Sequence, residues 1–186
     1  MSAPRHYHAI IVGAGFGGIG LAIRLRQAGF DDVLLLEQQH DLGGVWQANT
    51  YPGAACDIPT ALYSFSFETG FDWSRKYPQQ AEILAYLRHC AEKYGITAKI
   101  RFGTEVTDAH WDDQPGRWLV ATASGERFSA THLCAACGVL RRPRIPALPG
   151  LDAFAGPLMH TARWEHAVDW RDRSVAVIGT GASAVQ

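Results

Sequence analysis

No apolar run in this sequence approaches the ~20 residues that a membrane-spanning helix requires. Nor is there an excess of one charge: 17 basic residues face 18 acidic ones, for a net charge of −1. Without a field of either sign, neither nucleic acid nor a membrane is an expected partner. Cysteine is scarce. The four thiols, at 56, 90, 134 and 137, form no secreted disulfide framework, and a reducing, cytoplasmic setting is expected. Met1–Arg5 carries one basic residue and no leader-type apolar segment, so it reads as a short lead into the first strand. The eight histidines include no H-x-x-x-H or H-E-x-x-H grouping, and no metal is expected. His6-Tyr7-His8 reads as a solvent-facing pair at a strand start. Cys134-x-x-Cys137 would suit a redox or zinc pair, but it lies inside Leu133–Gly138, an apolar run of buried-strand type with no second ligand pair. Oligomeric state leaves no signature.

What is present is a core-forming composition, 47% hydrophobic over 186 residues, arranged around one stretch. Ala9-Ile10-Ile11-Val12 has strand length. Gly13-Ala14-Gly15-Phe16-Gly17-Gly18 follows, then a helical segment closed by Gly29, then a second strand over Asp32–Leu36 with Glu37 at its end. Strand, glycine turn, helix, strand and acid form the context in which G-x-G-x-x-G signifies a dinucleotide. Gly13 permits the tight turn, Gly15 lets a pyrophosphate approach bare backbone, and Gly18 lets helix and strand pack closely. The helix N-terminus offers free N–H groups and partial positive charge to the phosphates. Glu37 is placed to accept hydrogen bonds from a ribose diol.

Beyond Glu37, Gly43-Gly44 turns the chain back toward the nucleotide with Trp46 beside it. Residues 48–66 keep no regular period, yet Tyr51, Tyr63, Phe65 and Phe67 make this irregular stretch an expected binding loop rather than a linker. Residues 79–94 form the clearest amphipathic helix, with Ile83, Leu84, Leu87, Cys90, Ala91 and Tyr94 at helical spacing. Strands are expected over 98–102, 105–111, 118–123 and 127–129, the last three as a β-meander, with a separate buried strand at 133–137. Three prolines within 141–150 mark an extended connector, whose Arg141, Arg142 and Arg144 could meet phosphate or simply face solvent. Ser174–Ile178 reads as another buried strand. It runs into Gly179-Thr180-Gly181-Ala182-Ser183-Ala184, a second fingerprint of G-x-G-x-x-A form.

Two fingerprints with a meander between them suit a flavoprotein that takes electrons from a nicotinamide. The chain resembles the N-terminal part of flavin-dependent Baeyer–Villiger monooxygenases over essentially its whole length. The carrying motifs are Gly13-x-Gly15-x-x-Gly18, Gly43-Gly44-x-Trp46, Asn49-Thr50-Tyr51-Pro52-Gly53-Ala54-x-Cys56-Asp57 and Tyr63-Ser64-Phe65-Ser66-Phe67. The most specific is Phe154-x-Gly156-x-x-x-His160-Thr161-x-x-Trp164. N- and S-oxygenating flavin monooxygenases, the alternative, usually lack the final Trp. A non-catalytic FAD-binding fragment is the other alternative. Glu165 stands where the family has Pro or Asp, and Cys137 where a Thr is common.

The resemblance implies an α/β fold: a Rossmann-type FAD-binding domain with a β-meander over 1–140, a linker over 141–165, and the truncated start of an NADPH-binding Rossmann domain over 166–186. It implies FAD held by Gly13, Gly15, Phe16 and Gly18, its ribose by Glu37, and its flavin lined by Val45, Trp46, Gln47, Ala48 and Tyr63, with Val106 meeting the adenine through its backbone. NADPH would be held by Gly179, Thr180, Gly181, Ser183 and Ala184. Asp57 would lie near the flavin as the catalytic residue present, orienting an arginine that falls outside the sequence. Residue type alone would equally suit a loop-capping role for it. His160 reads as a hydrogen-bonded residue that couples linker motion rather than a proton carrier. The implied reaction inserts one oxygen of O2 into a ketone, through a flavin C4a-peroxide, to give an ester or lactone. A second turn without its helix, behind a strand with an open edge, is expected to leave the chain inactive alone.

Overall fold

The computed structural model describes residues 4–186. Its centre is a six-stranded sheet in the order β3-β2-β1-β6-β5-β4. The strands are β1 (Arg5–Val12), β2 (Val33–Leu36), β3 (Ile100–Arg101), β4 (Val106–Asp112), β5 (Arg117–Thr122) and β6 (Arg127–Ala135). The pairs β3-β2, β2-β1 and β1-β6 are parallel, whereas β6-β5 and β5-β4 are antiparallel. Helix α1 (Phe16–Gln27) connects β1 to β2, and α3 (Gln80–Lys93) precedes β3; between them lies the four-residue helix α2 (Val45–Ala48).

Both faces of the parallel strands are covered, which is why β2 is apolar at all four positions and buried throughout. On one face Ala9, Ile11, Val33 and Leu35 pack against Ile19 and Ile23 of α1 and Leu87, Cys90 and Ala91 of α3. On the other, Ile10, Leu34 and Leu36 meet Val120, Phe128 and Ala130 of the meander. Each buried Ile or Leu contributes about 1.5–3 kcal/mol relative to leaving it in water.

Several expectations need correction. The strands foreseen at 127–129 and 133–137 are one continuous strand, β6, which pairs with β5 through its first half and with β1 along most of its length. Nothing between Phe128 and Cys134 forces a break: no proline or glycine falls there, and β1 pairs along the whole segment. Cys134 is only half-buried and Cys137 is exposed beyond the strand end, so the apolar run is not a fully buried strand. The strand at 98–102 shrinks to two residues because Thr97–Lys99 form a 3-10 turn. His6 is exposed, but His8 is half-buried, stacked on Phe30 with ring centroids 4.6 Å apart, so the pair is not uniformly solvent-facing. Residues 174–178 are exposed, Val177 to 65%, and belong to no strand. Their apolar, β-branched character is that of a buried strand, but no described strand lies beside them. A second turn ending without a helix is also revised: Ala182–Val185 form a short helix, α4, behind Gly181.

Candidate functional site

The first glycine turn sits where β1 ends. Gly13 has φ +106°, and an added Cβ would lie 2.6 Å from the Ala136 carbonyl oxygen, so only glycine fits between β1 and the end of β6. At Gly18 an added Cβ would overlap the Gly13 carbonyl oxygen, which brings the first turn of α1 directly onto the strand end. Gly15 is the N-cap. It has no side chain to close the helix, and the first turn of α1 contains no acid. The amides of Phe16, Gly17 and Gly18 therefore have no acceptor within the helix and none from a cap. Room at Gly15 is bounded by Gly44, whose Cα would be 3.5 Å from an added Cβ. The Gly43-Gly44 corner is tied to the turn by Gly43 N–H donating to the Ala14 carbonyl at 2.9 Å.

Glu37 is 6% exposed and fully engaged with backbone. One carboxylate oxygen accepts the Ala14 N–H at 2.8 Å, the other the Gln39 N–H at 2.9 Å. The acid thus ties the end of β2 to the glycine turn, and each oxygen keeps a lone pair for a further donor such as a ribose hydroxyl. The chain into the meander passes beside it: Thr104 N–H donates to the Glu37 carbonyl at 2.8 Å, two residues before Val106. Val106 itself is half-buried and paired with Thr122. Of the connector arginines, Arg141 reaches Gln38 and, at 3.4 Å, Glu105 on this rim.

An aromatic wall stands beside the turn. Phe16 packs edge-on against Tyr63 at 4.9 Å and against Phe65 at 4.7 Å. Trp46 of α2 donates its indole N–H to the Tyr63 hydroxyl at 2.9 Å, and Gln80 holds the Trp46 carbonyl. Gln47 and Ala48 complete α2, half-buried and exposed respectively. Because the Tyr63 oxygen receives the indole proton, its own O–H is free to donate. Burial pushes the Tyr63 acidity to higher pH against that bond, and the nearness of Cys56 and Asp57 pushes the same way. Asp57 is exposed and sits next to Cys56, whose thiol is raised chiefly by burial.

Not every aromatic of the irregular stretch is available to a ligand. Phe65, Phe67, Phe71 and Trp73 pack onto the core beside α1 and α3. Gly20 carries no motif signal in the sequence, yet an added Cβ there would meet the Phe65 ring at 2.6 Å; a glycine two residues past Gly18, inside the helix, was its only sign. Glu68 also escaped notice. It is buried, bonded to Lys93 Nζ at 2.6 Å and to the Tyr94 hydroxyl at 2.9 Å, and the Lys93 ammonium holds its carboxyl below the usual range.

The second turn is more open. Gly179 has φ +129° with nothing near an added Cβ, and Gly181 is the N-cap of α4, with Thr180 exposed between them. Ser183 faces the Tyr51 hydroxyl at 3.1 Å, and Ala184 is half-buried. The structure therefore gathers Gly13, Gly15, Phe16, Gly18, Glu37, Trp46 and Tyr63 around one turn, and places Gly179–Ala184 against the loop that carries Asp57. His160 caps a 3-10 turn by accepting the Ala162 N–H at 3.0 Å.

Parallel strands covered on both faces within a mixed sheet, with an uncapped glycine turn at a strand's carboxyl end and an acid closing the next strand, define a dinucleotide-binding protein of Rossmann type. The chain belongs to the pyridine nucleotide-disulphide oxidoreductase family, whose sequence profile matches residues 10–186. It is 44% identical over 185 residues to a Baeyer–Villiger monooxygenase of Pseudomonas aeruginosa, covering 100% of this chain and 35% of that protein. Among solved structures it is similar to an oxidised steroid monooxygenase bound to NADP, with TM-score 0.87 and 44% identity, covering 97% of this chain and 36% of that one. It is also similar to OTEMO in complex with FAD and NADP, with TM-score 0.87 and 33% identity, covering 99% and 36%. The chain thus spans about a third of the length of the relatives it matches. No helix among the described residues is long and apolar enough to cross a membrane.

Proposed function

We propose that the chain binds FAD at Gly13–Gly18 and NADPH at Gly179–Ala184, and serves a Baeyer–Villiger oxygenation in which one oxygen of O2 is inserted into a ketone to give an ester or lactone. The single observation that carries the first half is the bare N-terminus of α1 beside the doubly anchored Glu37 carboxylate. That pair fits a pyrophosphate followed by a ribose diol, and the similarity to monooxygenases with FAD and NADP bound supports the choice of ligands.

Bound FAD, reduced by NADPH, would supply the oxygen activation. The chain's own residues bind and shield. The Phe16–Gly18 amides take the phosphate charge, and Glu37 accepts from the ribose hydroxyls while its anchors keep the turn in place. Val106 offers its backbone to the adenine. The Val45–Ala48 turn and Tyr63 line the flavin edge, where the Tyr63 oxygen accepts the Trp46 indole N–H and its own O–H remains available to donate. Asp57 is the catalytic candidate: an exposed carboxylate on this edge that would hold a guanidinium in one pose by paired hydrogen bonds. The packed rings of Phe16, Tyr63 and Phe65 exclude water from one side. Four unpaired thiols suit a cytoplasmic setting.

The test is to offer holoenzyme, NADPH and O2 a ketone, a tertiary amine and a thioether separately. The proposal expects ester or lactone from the ketone in step with NADPH consumption. Oxidation of the amine and thioether alone would sink the Baeyer–Villiger assignment in favour of soft-atom oxygenation.

A further inference from the structure

The loop leading to Asp57 is held from two sides. On one, it is tied to the start of α3: Cys56 N–H donates to the Pro78 carbonyl at 2.9 Å, Gln80 N–H to the Ala54 carbonyl at 2.9 Å, and Ala55 and Gln79 form an antiparallel bridge. On the other, it meets the residues behind the second glycine turn. The Tyr51 hydroxyl lies 2.8 Å from Gln186 Oε1 and 3.1 Å from Ser183 Oγ. The Gln186 amide clasps Ala55 at both backbone groups, donating to its carbonyl at 2.8 Å and accepting from its N–H at 3.4 Å. Gly53, with φ +86°, lies so close to this residue that an added Cβ would sit 2.5 Å from the Gln186 carbonyl oxygen. A further tie joins Thr50 Oγ1 to His166 Nε2 at 2.8 Å.

Resting on the reading that the second turn takes NADPH, we propose that Tyr51 is a positioning residue that couples occupancy of that turn to the Asp57 loop. Its place makes it the junction. The Tyr51 hydroxyl carries one proton and bridges two groups of the second unit, Ser183 and Gln186. Ser183 belongs to the second fingerprint, so its hydroxyl is within the set a dinucleotide phosphate would recruit. Once Ser183 turns to a phosphate, the Tyr51 hydroxyl commits wholly to Gln186 Oε1, and the Gln186 hold on Ala55 tightens or shifts with it. Ala55 is two residues from Asp57, and its other neighbours are pinned to α3, so the change has little slack in which to dissipate. Coupling of this kind is reciprocal: whatever NADPH does to the Asp57 edge, a ligand at that edge does to NADPH affinity.

Amide hydrogen exchange on the full chain, with and without NADP+, tests this directly. In the native sequence NADP+ should protect residues 179–184 and also slow exchange at Ala55 and Cys56 by about fivefold or more, the lower range of measured site-to-site couplings. In Tyr51→Phe the protection at 179–184 should remain while the response at Ala55 and Cys56 disappears, with exchange in β1 and β2 unchanged as the control for folding. Gln186→Ala, which removes the clasp and the Tyr51 acceptor together while keeping the Tyr51 hydroxyl, should lose the same distant response. Protection at 179–184 with an undiminished response at Ala55 and Cys56 in both variants overturns the coupling and leaves the NADPH reading standing. Absence of any NADP+ protection at 179–184 in the native sequence removes that reading, and the coupling with it.

Discussion

At the scale of single residues, the glycines of the first turn are unequal, and their surroundings rank them. Gly18 faces the Gly13 carbonyl with no space for a methyl group, and both partners are backbone, so neither can rotate away. Gly18→Ala is expected to destabilise the fold by about 3 kcal/mol, the upper range for forcing a methyl into a packed site, read as a lower urea midpoint. Gly17, by contrast, has nothing within 4 Å of an added Cβ and lies on the exposed side of α1. Gly17→Ala should leave stability equal or raise it by a few tenths of a kcal/mol, because alanine is the better helix former. Glu37 makes the second prediction at this scale. In Glu37→Gln one of the two anchored amides, Ala14 or Gln39, faces an NH2 group instead of an acceptor, at a cost of about 1–3 kcal/mol. FAD affinity should fall at least tenfold in an equilibrium titration; unchanged affinity would remove Glu37 from the site.

At the scale of elements, the irregular stretch between α2 and α3 is held by polar bonds beneath its aromatic packing. Tyr86 of α3 accepts the Phe65 N–H at 2.8 Å and donates to the Glu68 carbonyl at 2.9 Å, while the Glu68 carboxylate is gripped by Lys93 and Tyr94. His89 stands 3.7 Å from the same carboxylate. Lys93 holds the Glu68 carboxyl below its unfolded value, so the native state resists protonation there. That stabilisation is complete above the ordinary glutamate range of about 4.3 and is lost as pH falls through the lower folded value. Lys93 is raised in turn by Glu68, so its share is complete below the ordinary lysine range and is lost as pH rises through the higher folded value. Urea midpoints measured from pH 7 down to pH 3 should fall steeply for the native protein and less steeply for Glu68→Gln, which starts from a lower midpoint at pH 7. Parallel curves would show that the clamp does not contribute. None of this was legible in the sequence, where Glu68 is one acid among several and its partners lie on another element. The strand-turn-helix-strand unit was legible because its signals are local: an apolar strand, three spaced glycines and an acid at fixed distance. β6 reads as two strands in the sequence because Arg127–Ser129 alternate whereas Leu133–Cys137 are apolar, yet β1 pairs along it from Phe128 to Ala135, and β5 joins only at its first half.

At the scale of the whole molecule, the buried residues lie between Tyr7 and Ala130, and after β6 the half-buried Ala136 alone among the described residues packs against the core. Val175, Val177 and Ile178 are exposed despite a composition suited to a sheet interior. Sequence patterning reports what a segment is built to bury, and the structure reports what lies beside it; at 174–178 the two differ because no described strand is adjacent. Val177→Asp should therefore change stability by less than about 0.5 kcal/mol, whereas Val120→Asp, at a position of the meander that is 1% exposed, should prevent folding as judged by far-ultraviolet circular dichroism. An equal loss in both would show that 174–178 packs in solution. Elsewhere at this scale the residues from Phe154 to Trp164 stand out in the sequence only as a motif, and the cleft of about 410 Å3 formed by Trp164, Trp170, Arg171 and Pro52 depends on contacts remote in sequence.

The central claim is that the first glycine turn and Glu37 recognise the pyrophosphate and adenosine ribose of FAD. It is tested most directly by titrating the protein with FAD and, separately, with FMN, which carries the same flavin ring but neither the pyrophosphate nor the adenosine. FAD should bind at one equivalent, with quenched flavin fluorescence, at least a hundredfold more tightly than FMN, about 2.7 kcal/mol of discrimination residing in the half-molecule that the turn contacts. Equal affinity for the two flavins, or no binding of either, would contradict it.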